Sequence, residues 1–234
     1  ANEYANVLVD YSGAVKITNS ALRSSQTYGL KVKSDGEIRD FSNNTISSDA
    51  ITRIPAYLIG KIDENSNFEP GGYISVNGSD VETDQTWKST NVPYIIEGTV
   101  DILADITINP GAILEFYSGA RIDIESGTNG GSLNAVGTQT DSIKFIGTTN
   151  VQGHWQGLRF QTKSNSNLLE YCAISDGGKD GYANIKVSYN GGVTVNNSSI
   201  RNSETYGVEV ASDGEFSESG NTYSNNKLGD VHRQ

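Results

Sequence analysis

One stretch of this chain occurs twice, and no other feature restricts the fold as much. Residues 4–37 read YANVLVDYSGAVKITNSALRSSQTYGLKVKSDGE, and residues 182–215 read YANIKVSYNGGVTVNNSSIRNSETYGVEVASDGE. The offset is 178 positions, and 19 of the 34 residues are identical. Where the copies differ, apolar positions mostly stay apolar: Val7 faces Ile185, Ile17 faces Val195 and Leu22 faces Ile200. Past Glu37 the match continues with a one-residue slip, Asn44-Thr45-Ile46 against Asn221-Thr222-Tyr223. Self-similarity at long range marks a stacked, modular architecture. The expected organisation is one continuous body over 1–234. Residues 1–92 end one tandem unit, with irregular coils at 51–92. Residues 93–234 form the following unit, in which 182–226 repeats 4–48.

A shorter rhythm sits inside the long one. Gly157-Leu158-Arg159-Phe160, Ala183-Asn184-Ile185-Lys186-Val187 and Gly207-Val208-Glu209-Val210 each give a turn residue, then apolar–charged–apolar. Cys172-Ala173-Ile174, Ser198-Ser199-Ile200 and Asn221-Thr222-Tyr223 run in phase with them. Alternation at period two sends apolar side chains to one face of a strand and charges to the other. Elsewhere the strand-like runs include Asn6 to Val9, Ala14 to Ile17, Gly29 to Val32, Tyr57 to Ile59, Tyr73 to Val76 and Ala112 to Phe116. Asn109-Pro110-Gly111 and Thr128-Asn129-Gly130-Gly131 are turn sequences. Abundant Gly, Ser, Thr and Asn with β-branched residues favours strands and turns over helices. One coil of three short strands cannot bury its inward side chains alone. Coils stacked about 4.8 Å apart pair every backbone group with the coils above and below. At about 23 residues per coil the chain makes a solenoid of roughly ten coils.

Charge and composition exclude some functions. The net charge is −11, which repels nucleic acid and anionic membranes and tolerates cations such as Ca²⁺. No apolar run is long enough to cross a bilayer, so membrane insertion is not expected. The single cysteine, Cys172, lies in the apolar run LLEYCAIS and reads as a buried, inert thiol. There is no methionine and no signal peptide, so the chain is expected to start after processing or excision.

Residues 92–160 carry an apolar-Pro-Gly turn (Ile108 to Gly111), a Gly-Ser-Leu-Asn-Ala-Val-Gly-Thr run (Gly131 to Thr138) and a Trp-x-Gly-apolar-x-Phe run (Trp155 to Phe160). These resemble the bacterial right-handed parallel β-helix proteins of the pectin-lyase-like superfamily, and residues 160–226 resemble its following coils. The resemblance implies an all-β, right-handed parallel β-helix that is exported and extracellular or on the cell surface. In some branches it also implies polysaccharide lyases, hydrolases and esterases. The Asn-Thr-Asp, Asp-Asp, His-Gly and Arg-Ile-Lys runs of the polygalacturonase type do not occur here. No catalytic residue is assigned.

Candidate sites follow from residue type. Trp87, and the tyrosine pairs Tyr11/Tyr189 and Tyr28/Tyr206 at equivalent places in the two copies, are candidates for glycan stacking or self-association. Asp176, Asp180, Asp213 and Glu215 lie on Gly-rich loops and are the Ca²⁺ candidates, though no full ligand set appears at a recognised spacing. Otherwise no cofactor is expected. Arg23 and Arg201 match between copies and read as exposed, ion-paired arginines. His154 and His232 read as structural or surface residues. The expected function is a non-enzymatic structural or adhesive segment of a long, filament-forming tandem-repeat protein. Its partners would be flanking repeats or further copies end to end, and surface glycans. The alternative is a carbohydrate-binding or polysaccharide-degrading module.

Overall fold

The structure is a computed structural model describing residues 4–125 and 130–234. The Thr128-Asn129 part of the expected turn lies outside the described residues. Strand pairing among the described residues is parallel throughout, and the chain winds into a β-solenoid of about ten coils. One sheet of ten strands, from Ala5–Val9 to Thr222–Ser224, takes one strand from every coil. A seven-stranded sheet runs from Asp80–Val81 to Gly229–Arg233. A six-stranded sheet runs from Gln85–Trp87 to Glu215–Ser219. Strands of the ten-stranded sheet begin at residues 5, 28, 51, 74, 94, 113, 143, 172, 199 and 222. Coils therefore take 19 residues (94 to 113) to 30 residues (113 to 143), not an even 23. The strands stay short because the sheets fix their length. Extra residues leave at the corners, as between Phe160 and Leu168, where the polar backbone stays near water.

The core is a set of apolar ladders. In the seven-stranded sheet Val100, Ile122, Leu158, Ile185, Val208 and Val231 stack in one row, and Ile102, Ile124, Phe160, Val187 and Val210 in the next. All but the terminal Val231 are buried. Trp155 lies flat on Phe116, with ring centroids 3.9 Å apart, and donates its indole N–H to the Ser175 carbonyl.

Residues 51–92 are where the cross-section changes. In the first coils Ala14–Thr18 pairs with Glu37–Ser42, and the short strands Ala21–Leu22, Thr45–Ile46 and Asn67–Phe68 form another side. The expected strand at Tyr57-Leu58-Ile59 is instead part of a 3-10 helix, Ala56–Lys61. Pro55 precedes it, and proline has no N–H with which to continue a ladder. A helical turn closes its own backbone bonds while Ala56, Leu58 and Ile59 all enter the core. It packs on Glu37–Ser42 from above and beneath Asp80–Val81 and Gln85–Trp87, the first strands of the two new sheets. One side thus becomes two. The short third side gives way to a corner, where Asn91 brackets the Phe68 N–H and carbonyl.

The two sequence copies fold to the same coil. Asn6 Nδ2 donates to the Arg23 carbonyl at 2.7 Å, and Asn184 Nδ2 to that of Arg201 at 2.8 Å. Asn44 accepts from the Ser20 amide and donates to the Ile17 carbonyl; Asn221 does the same for Ser198 and Val195. The Asp35 carboxylate accepts the Ser12 amide at 2.8 Å, and Asp213 accepts that of Asn190 at 3.1 Å. Glu37 and Glu215 donate their amides to Gly13 and Gly191, both at 2.9 Å.

Candidate functional site

The outward row of the seven-stranded sheet is a column of charge. Register aligns Asp80, Asp101, Asp123, Arg159, Lys186, Glu209 and His232 on successive coils. Asp101, Asp123, Arg159, Lys186 and Glu209 are each the middle residue of an apolar–polar–apolar run, so the pleat turns them away from the core. Asp123 is the anchor and its side chain is 1 % exposed. Arg121 Nε donates to its Oδ2 at 2.8 Å, while Arg159 reaches both oxygens, at 3.0 and 2.5 Å. A buried carboxylate is tolerable only with such partners. Asp101, Asp123 and Glu125 bring carboxylate oxygens within 4.8 Å of one another. Burial, and then the carboxylates of Asp123, Glu125 and Asp80, push Asp101 up to about 6, with Arg121 opposing. These oxygens are of the kind that hard cations take, but two guanidinium groups already neutralise Asp123.

Further along the row the face hollows into a groove of about 400 Å³. Arg159 and Lys186 form its floor, with Tyr182, Asp180, Tyr189 and Asp213 among its walls. Lys186 pairs with Glu209 at 3.1 Å and lies 5.5 Å from the Tyr182 ring centre. Ser188 lines the groove, and its hydroxyl is buried without a hydrogen-bond partner. The groove can hold a ligand with negative or hydroxyl groups against a partly aromatic wall.

Comparison with family models, curated proteins and solved structures found no match.

The sequence-based candidates separate by position. Tyr11 and Tyr189 stand at the tips of equivalent turns, 89 % and 69 % exposed, with φ of 50° and 54°. Tyr189 is at the groove, and Tyr11 is on the corresponding turn of the first coil. Tyr28 is half-buried, accepting from Arg53 at 3.2 Å with Lys31 5.1 Å from its ring centre. Tyr206 stacks on His232 at 4.5 Å. Trp87 is corrected to a core residue. It is 1 % exposed, packs in register with Ile108 and donates to Gln85, so its ring offers no face to a sugar.

The Ca²⁺ candidates do not converge. Asp180 and Asp213 share the groove. Asp176 is buried and accepts from the Gly147 amide, Ser175 and Asn202. Glu215 pairs with Lys163. Cys172 is buried and its thiol is pushed up to about 12 by burial, consistent with an inert role. Arg23 and Arg201 are exposed. His154 sits between the hydroxyls of Thr148 and Thr149, each at 2.8 Å.

The charged column was not anticipated as a unit. Asp101, Asp123, Arg159, Lys186 and Glu209 occur in the apolar–charged–apolar format, and aligning that format from coil to coil would have found them.

Proposed function

We propose that this chain is a non-enzymatic structural or adhesive segment of an extracellular β-helix built from tandem units of 178 residues. The observation that carries this reading is the bond-for-bond recurrence of one coil design in both copies. In a solenoid each coil touches only its neighbours, so units add length without new topology. The exported, pectin-lyase-like character suggested by Ile108 to Gly111 and Trp155 to Phe160 belongs to the same reading.

The exposed tyrosines supply the adhesive part. A bulky residue in the left-handed region is uncommon and is held there by its surroundings. Tyr11 and Tyr189 sit in that region at turns held by Asp35 and Asp213, which present both rings to solvent.

The unit repeat makes a measurable prediction. From Ala5–Val9 to Cys172–Ser175 is seven coils, and Ile185–Val187 is one side further. A chain extended after Asn226 by a second copy of residues 49–226 should lengthen by roughly 35 Å, at about 4.8 Å per coil. Small-angle scattering measures this directly. A particle that thickens without lengthening would overturn the tandem reading.

A second reading, carbohydrate binding, is favoured by the groove alone. Arg159, Lys186 and Tyr189 suit a carboxylate-bearing saccharide. Titration with acidic oligosaccharides should then show binding that Lys186→Ala and Tyr189→Ala each weaken. Ultraviolet absorbance from an unsaturated product would reveal lyase activity and count against the non-enzymatic reading.

A further inference from the structure

The two copies of the repeat differ in one group of charges. On the outward face of the ten-stranded sheet, register aligns Leu8, Lys31, Arg53 and Ser75 on successive coils. Lys31 and Arg53 are therefore like charges in register, with backbones about 4.8 Å apart. Such a pair destabilises a sheet unless something offsets it. Lys33 stands two residues beyond Lys31, roughly 6.6 Å along the chain, and turns to the same face. The coil itself does not require these cations. In the second copy the counterparts of Lys31 and Lys33 are Glu209 and Ala211. The residue in register with Glu209, where Arg53 meets Lys31, is His232. The inward neighbours Leu30 and Val32 meanwhile stay apolar, as Val208 and Val210, and Tyr28 stays aromatic, as Tyr206.

The three cations share one groove of about 440 Å³, with Tyr28, Ser34 and Asn77 also on its walls. Among the described residues that line it there is no carboxylate. Two carboxylates stand behind the lining: Asp10 holds Lys33 at 2.6 Å and Glu97 holds Arg53 at 2.6 Å. Three cations against these two acids leave one positive charge in excess, on a chain whose net charge is −11. Lys31 is only 6 % exposed, and its ammonium lies 5.1 Å from the Tyr28 ring centre. The Arg53 guanidinium lies 5.7 Å from the same centre. It donates to the Tyr28 hydroxyl at 3.2 Å and to Asn77 at 2.6 Å, besides pairing with Glu97. Its fork is thus committed to the protein, and it serves the groove as a fixed charge.

We propose that this groove binds a tetrahedral oxyanion, a sulfate or phosphate, either free or as the monoester of a sugar. Lys31 and Lys33 approach from one coil and Arg53 from the next, and the several terminal oxygens of a tetrahedral ion can meet charges from different sides. A carboxylate is held best by an open guanidinium fork. Here the fork is occupied, and the lysine ammonium groups act as the point charges that suit sulfate or phosphate. The bound anion offsets the repulsion between Lys31 and Arg53. Ser34 and Asn77 offer a hydroxyl and an amide to the rest of an ester, in a groove of ordinary ligand size. The site lies on a different sheet from the groove at Arg159 and is complete within one unit, so it depends on neither reading given above.

The test is calorimetric titration of the intact chain at low salt with inorganic sulfate, inorganic phosphate, galactose 6-sulfate, galactose 6-phosphate, galacturonate and galactose. At least one sulfate or phosphate probe should bind, and more tightly than galacturonate or galactose. Tighter binding of the bare ion makes the ligand a free anion, and tighter binding of the ester makes it a sugar derivative. Lys31→Gln and Lys33→Gln should each weaken binding by about tenfold or more, the size of one charge-assisted hydrogen bond. Lys186→Gln, in the other groove, should leave it unchanged. Thermal melts establish that each variant is folded. Lys33, with its side chain 40 % exposed, is the substitution that carries the test if Lys31→Gln does not fold. The proposal is overturned if no sulfate or phosphate probe binds, or if galacturonate binds as tightly. It is equally overturned if folded lysine variants bind as the unaltered chain does, or if the loss follows Lys186→Gln instead.

Discussion

Residues 4–48 and 182–226 are nearly one sequence set in two places. In the first copy, Ala5–Val9 joins the ten-stranded sheet and Ala21–Leu22 a short three-stranded one. In the second, the counterpart of Ala5–Val9 is Ile185–Val187 in the seven-stranded sheet, and that of Ala21–Leu22 is Ser199–Arg201 in the ten-stranded one. The asparagine and aspartate brackets at the corners are nevertheless the same. The repeat therefore encodes a coil with its corners. Which sheet each strand joins depends on the coils it pairs with, and between the copies the 3-10 helix Ala56–Lys61 splits one side into two.

The sharpest contrast should come from matched core truncations. Ile185 is fully buried between Leu158 below and Val208 above. Ile185→Ala should cost about 2–5 kcal/mol, the range for emptying a packed aliphatic site. Val7 has Leu30 above it, is half-exposed, and should lose about 1 kcal/mol or less on truncation to Ala. Denaturant melts of the two variants decide this. Equal losses would mean that the first coil is packed from below as fully as the second copy is.

Next in size is the glycine pair. Gly191→Ala drives a Cβ onto the Phe160 backbone, which cannot swing aside as a side chain would, so a loss of roughly 1–3 kcal/mol is expected. Gly13→Ala meets only its own turn and should cost clearly less. A larger loss at Gly13 would break the comparison.

How much of this was legible in the sequence depends on whether the signal was local. Alternation in Leu158-Arg159-Phe160 and Ile185-Lys186-Val187 gave strands and their buried faces, and the 178-residue offset gave stacking. The charged column was harder, because its members are separated by unequal steps: Asp101 to Asp123, then Asp123 to Arg159, then Arg159 to Lys186. Corners of variable length hide that register. Trp87 was misplaced because Thr86 and Lys88 make its surroundings look polar. Its parity along Gln85–Trp87 points inward, and Trp87 pairs with Ile108. The change from strand to 3-10 helix at Tyr57-Leu58-Ile59 turned on Pro55 together with the need to bury three neighbours at once.

Asparagine corners should give a smaller asymmetry. Asn44 is buried between the Ser20 amide and the Ile17 carbonyl, and Asn44→Ala leaves both unpaired at a cost of about 1–3 kcal/mol. Asn221 makes the same two bonds but is half-buried near the last coil, where water can replace it. Asn221→Ala should fall at or below the low end of that range.

The smallest effect is expected at the aspartates, and there the two copies should agree. Asp35 and Asp213 lie in the coil above the turns they bracket, and that coil is present in both cases. Each carboxylate accepts the amide of the second of two left-handed residues, Ser12 at φ 58° and Asn190 at φ 57°. Losing that acceptor lets the turn relax but exposes nothing apolar. Asp35→Ala and Asp213→Ala should each cost about 0.5–1.5 kcal/mol, the net worth of one hydrogen bond near water. Their difference should be small beside that between Ile185→Ala and Val7→Ala, since neither contact involves the coil beneath. A large gap between the two aspartates would mean that the corner is not a property of the repeat sequence, and the distinction between encoded corners and neighbour-determined sheets would fail with it.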